Sequence, residues 1–259
     1  MEPGNRGFFH ASERVLGRSE RMKLAIAGYS GRMGHAIQAL AEGEHQLIAL
    51  GRDTEVGAAK DADVIIDFSQ PEMTMQLANY AAQQRIPLVS GTTGLKDSEW
   101  EALEAAALQI PVFWASNMSV GVALLTKLVR EAAAALPPEY DIEVLEMHHR
   151  GKLDAPSGTA LSLGRAAAQG RGANFDALSL LSREGQAGPR KPGEIGFATL
   201  RGGRVIGEHS VIFAGERDLI ELSHRSQSRE IYAEGALRAA AWVVGKPPSL
   251  YGMDALLSS

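Results

Sequence analysis

The sequence contains no cysteine. Disulfides, a thiolate nucleophile and Cys-ligated zinc are thereby excluded. It also lacks an uninterrupted apolar run approaching the ~18 residues of a membrane span. No Lys/Arg-rich stretch suggests a nucleic-acid partner. With 26 Lys and Arg against 31 Asp and Glu, the formal net charge is −5. An anionic ligand must therefore be held by a local group of cations, not by a basic surface. Residues 1–21 lack the apolar core of a secretory signal, and Glu2, Glu13 and Glu20 argue against a transit peptide. They read as an extension ahead of a domain opened by Met22, in a cytoplasmic protein. No internal repeat or low-complexity segment is present. What remains is ordinary for a globular protein: 45% hydrophobic and 22% charged over 259 residues. That suits one large α/β unit or two coupled domains.

From Met22 short apolar runs alternate with helical spacing. Strands are expected over 23–27, 47–50, 64–68, 87–90 and 111–114, and helices over 33–42, 71–84 and 98–108. Pro71 suits the first turn of its helix. Repeated βα units with short apolar strands imply a parallel sheet covered on both faces. The rhythm changes near Asn117. A helix over 119–136 ends at Pro137-Pro138, followed by a strand over 141–147, a helix over 157–169, and strands near 178 and over 195–200, 205–213 and 219–224. This reads as an α+β domain with a mostly antiparallel sheet. An alanine-rich helix over 229–244, stopped at Lys246-Pro247-Pro248, is expected to pack back on the first domain with the tail. The expected division is an extension at 1–21, a dinucleotide-binding domain at 22–118 and 229–259, and a second domain at 119–228.

Gly28-Tyr29-Ser30-Gly31-Arg32-Met33-Gly34 lies between the first strand and the first helix. The spacing is G-x-x-G-x-x-G, with Ser30 where the common dinucleotide motif has its middle glycine. The physical logic survives. Gly28 permits a tight turn, Gly31 lets backbone N–H groups approach a pyrophosphate, and Gly34 lets helix and strand pack closely. Phosphates would sit at the helix N-terminus, where free N–H groups and the macrodipole favour negative charge. At the end of the second strand, Arg52 could hold a 2′-phosphate and Asp53 a ribose hydroxyl, leaving NADH or NADPH open. Gly91-Thr92-Thr93-Gly94 and Ala115-Ser116-Asn117-Met118 follow later strands, at the sheet edge where ligands bind in open α/β folds.

The densest chemistry is EMHHRGKLDAPSGTA, running from Glu146 to Ala160. His148 and His149 can give a proton near neutral pH, and Lys152 supplies a point charge for a carboxylate or a developing anion. Ser157, Gly158 and Thr159 precede a helix, where hydroxyls and free N–H groups make an anion site. Ser157 also suits a simple N-cap, and Asp154 a loop-fixing role. Neighbours on a strand face opposite sides, so one metal ion would not take both histidines.

These pieces are recognisable together. GYSGRMG, DFSQPE, SGTTG, ASNMSVGV, EMHHRGKLDAPSGTA, SREG, PGEIGFATLRGG and VIGEHSVIF stand in the order found in the 4-hydroxy-tetrahydrodipicolinate reductase family, also called dihydrodipicolinate reductases, of diaminopimelate and lysine biosynthesis. The chain resembles that family over nearly everything from residue 22 to about 256. The resemblance implies a Rossmann-like NADH- or NADPH-binding domain, a substrate domain whose sheet builds a homotetramer, and hinge closure between them. It implies hydride transfer to a ring dicarboxylate with loss of water. His148 then matches the general acid, and Lys152 the cation that assists proton transfer and binds substrate. His149, Ser157, Gly158 and Thr159 match carboxylate binders. Gly91, Thr92 and Thr93, with Ala115, Ser116, Asn117 and Met118, match contacts to the nicotinamide half, while Arg32 and Met33 belong to the phosphate turn. Two features depart from the pattern: a short connector between Arg52 and Asp61, and Gly51 or Arg52 where an acid usually ends the second strand. Rival readings are another two-domain dehydrogenase of amino-acid metabolism, a non-catalytic NAD(P)-binding regulator and a structural oligomeric module. The glycine turn fits the first, but the histidine–lysine cluster does not.

Overall fold

A computed structural model describes residues 21–51 and 54–258. The extension expected over 1–21 lies outside the described residues except for Arg21, and so do Arg52 and Asp53. The chain begins β1 (Lys23–Ala27), α1 (Arg32–Ala41), β2 (Gln46–Leu50), a 3-10 helix (Val56–Asp61), β3 (Val64–Asp67), α2 (Pro71–Gln84), β4 (Leu88–Ser90), α3 (Asp97–Ala107) and β5 (Pro111–Trp114). It continues through α4 (Val120–Ala135), β6 (Asp141–His148), α5 (Gly158–Gly170), the one-turn α6 (Phe175–Leu178), β7 (Ser179–Leu180), β8 (Ile195–Arg201), β9 (Glu208–Ala214) and β10 (Leu219–Arg225). It closes with α7 (Glu230–Val243), β11 (Ser249–Tyr251) and α8 (Met253–Leu257).

Six strands form a parallel sheet in the order β11-β5-β4-β3-β1-β2. Alternate residues of its strands feed two separate cores. Leu24, Ile26, Val64, Ile66 and Phe113 pack under α1 and α7, while Ala25, Ile65, Leu88 and Val112 pack under α2 and α3. Burial on both faces explains why these strands read as continuous apolar runs. Pro71 stands in the first turn of α2, and that helix ends on Arg85 in the left-handed region at φ 56°.

The second sheet has the order β10-β9-β6-β8-β7. β9 pairs antiparallel with β10 and β6, whereas β8 pairs parallel with β6 and β7. The antiparallel pairs hold the larger share of the ladder. One face, carrying Ile142, Val144, Phe197, Val211 and Phe213, packs on α4 and α5 through Leu125, Val129, Leu163 and Ala167. The strand expected over 205–213 begins only at Glu208. Residues 202–207 instead make the β8–β9 connection, with Gly203 at φ 50°. There Gly202 N–H donates to the His148 carbonyl and Arg150 N–H to the Gly203 carbonyl. The β8–β9 connection is thus held against the chain leaving β6.

After β10, α7 returns to the first sheet and lays Ala233, Ala236, Ala239, Ala240 and Val243 into its core. It stops at Gly245, φ 79°, before the prolines are reached. β11 then extends the first sheet beyond β5. At Gly235 a Cβ would stand 1.7 Å from the Met118 carbonyl oxygen. Only a glycine lets α7 press against the chain entering the second half.

Candidate active site

At the carboxyl ends of β1, β3 and β4 one residue organises the turn. Phe68 lies between two glycines: a Cβ on Gly28 would meet the Phe68 carbonyl at 2.3 Å, and a Cβ on Gly91 would enter its ring. Gly28 also needs its φ of 77°. Gly34 is buried, and a Cβ there would overlap the Gly28 and Tyr29 carbonyls. Gly31 is the N-cap of α1 and has no side chain to cap it. The first-turn N–H groups are therefore left to an anion, beside exposed Ser30 and Arg32. This cradle fits the pyrophosphate of a dinucleotide. Met33 packs inward against the core.

Asp67, fully buried at the end of β3, ties the strand ends together. Its Oδ2 accepts from Thr74 Oγ1 at 2.6 Å, Ser90 Oγ at 2.8 Å and Thr92 Oγ1 at 3.0 Å, and its Oδ1 from Ser69 N–H and Oγ. The Thr92 hydroxyl is thus committed to Asp67, while Thr93 is exposed at the rim. Ala115 N–H donates to the Ser90 carbonyl, Ser116 is exposed, and Met118 is buried in the core. Asn117 reaches across: its Nδ2 donates to Thr159 Oγ1 at 3.0 Å, while its Oδ1 accepts from Ser119 N–H at 2.9 Å. The loop between β5 and α4 is thereby fastened to the start of α5.

The alternation of β6 puts Ile142, Val144, Glu146 and His148 on one face. The first two enter the core, and the polar pair lies where α5 begins. Glu146 is 1% exposed. Arg201 donates to both of its oxygens at 2.9 Å, His148 Nδ1 lies 2.6 Å from Oε2, and Ser157 N–H donates to Oε1 at 3.1 Å. Thr199 Oγ1 adds a bond at 3.3 Å. Arg201 also donates to the Asp154 carbonyl. Ser157 caps α5 through its Oγ, which accepts from Ala160 N–H and lies 3.1 Å from His209 Nε2. The His148 and His209 rings meet edge to face with centroids 5.0 Å apart. Lys152 Nζ sits 2.9 Å from Asp154 Oδ1.

The electrostatics follow from burial and neighbours. Burial alone would push the Glu146 carboxyl up, but Arg201, His148 and the Ser157 N–H together hold it below the usual range. Burial pushes His148 down, the Glu146 bond and charge oppose that, and the Lys152 and Arg201 charges add to it. His209 is pushed down to about 4, first by burial and then by its cationic neighbours. Glu146 is therefore the fixed negative centre of a cluster that otherwise gathers positive charge.

The structure brings His148, Lys152, Ser157 and Thr159 to one end of α5. His149 is the first residue past the end of β6. It lines a cavity of about 720 Å³ with Arg150, Gly203, Arg204, Ile206 and Arg229. Gly158 is exposed at the first turn of α5. Asp67, Arg201 and His209 were not singled out from sequence, and Glu146 was seen only as part of its motif. The period-2 pattern of β6 carries the signal for Glu146: an acid two residues from His148 on an otherwise apolar face.

The chain matches the family models for the dihydrodipicolinate reductase N-terminus over residues 22–118 and C-terminus over residues 121–257. It is 48% identical over 252 residues to the 4-hydroxy-tetrahydrodipicolinate reductase of Caulobacter vibrioides, covering 92% of this chain and 98% of the relative. It is 44% identical over 262 residues to that of Thiobacillus denitrificans, covering 91% and 98%. A dipicolinate-bound dihydrodipicolinate reductase from Paenisporosarcina sp. TG-14 shares the fold, with a TM-score of 0.73 at 24% identity, covering 90% of this chain and 97% of that one. The chain belongs to the dihydrodipicolinate reductase family.

Proposed function

We propose that this chain reduces 4-hydroxy-tetrahydrodipicolinate to tetrahydrodipicolinate with loss of water, a step of diaminopimelate and lysine biosynthesis. The observation that carries this reading is the histidine at the end of β6, held by a buried carboxylate beside a helix N-terminus that Asn117 ties to the cofactor loops. NADH or NADPH is the reductant. Its pyrophosphate would lie on Gly28, Ser30, Gly31, Arg32, Met33 and Gly34, and its nicotinamide near Gly91, Thr92, Thr93 and the Ala115, Ser116, Asn117 and Met118 loop. When bound, it supplies a hydride to the ring.

The remaining work falls to side chains of the second half. Ser157, Gly158 and Thr159 offer hydroxyl and backbone donors to one substrate carboxylate, and the α5 dipole adds to the attraction. His149 faces the neighbouring arginine-lined cavity and takes part in holding the other carboxylate. Lys152 exchanges Asp154 for the substrate. Fixing the ring against the nicotinamide supplies much of the rate through orientation. His148 Nε2 has no partner among the described residues and delivers the proton that balances the hydride. Because burial and nearby cations hold His148 below its usual range, the substrate's negative charges help it to take up that proton.

The open face of the second sheet carries Leu145, Met147, Leu200 and Ile212 away from the α4–α5 layer, with Leu200 49% exposed. This supports a homotetramer assembled through that face. No described helix is long and apolar enough to cross a membrane. The test is oxidation of each cofactor, followed at the nicotinamide absorbance band with enzymatically generated substrate. His148→Gln should lower turnover by about 10²–10⁴-fold with cofactor affinity near normal. Unchanged turnover removes His148 from the acid role.

A further inference from the structure

We infer that Glu146 is a positioning residue that holds the His148 ring with Nε2 as the proton-delivering atom and ties that ring to the anion-binding start of α5. The inference rests on His148 being the acid. His148 and Glu146 stand two residues apart on one strand, so they point to the same face and meet without a turn between them. The carboxylate receives two Arg201 N–H bonds, the Ser157 N–H and the Thr199 hydroxyl. So many donors around a buried group keep it ionised.

An ionised carboxylate only accepts, so the His148 Nδ1 at 2.6 Å carries the hydrogen. That leaves Nε2 as the atom through which the ring exchanges its second proton. Nε2 lies beside Gly207, where a Cβ would approach to 3.1 Å. A side chain at 207 would crowd the atom that has to meet the substrate. The two carboxylate oxygens divide the work. Oε2 holds His148, while Oε1 takes the Ser157 N–H. One acid thus sets the distance between the proton donor and the helix end that grips the substrate carboxylate. Arg201 locks both oxygens, and its bond to the Asp154 carbonyl fixes the loop bearing Lys152.

Four groups face His148: Glu146 from its own strand, Arg201 from β8, His209 from β9 and Lys152 from the loop before α5. Glu146 is the one anion among them, so its removal lowers the pH at which His148 loses its proton. In Glu146→Gln, kcat should fall by roughly 10–10²-fold. KM for the substrate should stay within about threefold of wild type. The alkaline limb of the kcat profile should move to lower pH, a change that loosened packing alone would not produce. His148→Gln is measured alongside. If it loses turnover while Glu146→Gln keeps both rate and pH limb, the positioning role is overturned and the acid assignment stands. If His148→Gln keeps its rate, the acid assignment itself fails. Should Glu146→Gln not fold, imidazole 15N spectra of the NADH-bound wild-type enzyme decide. A neutral His148 protonated at Nδ1 supports the inference, and one protonated at Nε2 overturns it.

Discussion

Replacing Arg201 by Met would remove the two strongest donors from a carboxylate whose side chain is 0% exposed. Breaking a buried pair from one side costs about 3–5 kcal/mol, because the remaining charge is left without its partner. Three donors stay on Glu146: His148 Nδ1, Ser157 N–H and Thr199 Oγ1. The lower figure, about 3 kcal/mol, therefore applies. In a chain of this size each kcal/mol moves Tm by about 2–4 °C, so Arg201→Met should melt about 6–12 °C below wild type. The pH dependence adds a second check. In the native fold His148 sits below its ordinary value, burial being the largest cause and the Arg201 charge a smaller one. A histidine depressed in this way costs the fold stability as pH falls below its unfolded-state value. Without Arg201 the His148 value rises, so acidification costs the variant less. The Tm gap should narrow between about pH 8 and about pH 5.5. Calorimetric melts at matched ionic strength measure both. A gap under about 2 °C, or one that widens on acidification, refutes the reasoning.

Binding of a ring dicarboxylate such as dipicolinate should draw a proton onto His148. Titration calorimetry in buffers of different ionisation heat should show net proton uptake near neutral pH and tighter binding as pH falls; release of protons would contradict the charge balance described for the cluster. Lys152→Ala should raise KM and lower kcat together under the proposed exchange of Asp154 for substrate, and a wild-type KM would count against that exchange. Gly235→Ala should destabilise the protein by about 1–3 kcal/mol, since its methyl must displace the Met118 carbonyl or part α7 from it. Urea unfolding would read this, and an unchanged midpoint would mean the contact yields freely.

The parallel sheet was legible because strands buried on both faces leave runs such as VIID with no polar alternation to confuse them. The glycine turn was legible because Gly28, Gly31 and Gly34 stand together in one βα unit, although the contact that forces Gly28 comes from Phe68, 40 positions further on. Other features were not. β11 has three residues and α8 five, too few to show a period. The parallel pairing of β6 with β8 leaves no local mark, since alternation looks the same in either direction. The site divides the same way. His148, Lys152 and Ser157 fall within one motif. Arg201 and His209 reach Glu146 only through strand register, from 55 and 63 positions further along the chain. Asp67 closed a run of apolar residues and gave no hint that four hydroxyls converge on it.

The crossing at Gly235 has a mechanical consequence. The chain enters the second half just after Met118 and returns through α7, and these two passages touch where the Met118 carbonyl meets Gly235. Two connections that touch act as a pin, whereas two set apart would act as a frame. A rocking of one half against the other would have to turn or part that contact. The Asn117–Thr159 bond starts one residue before Met118, so a turn about that contact would carry it through only a small arc.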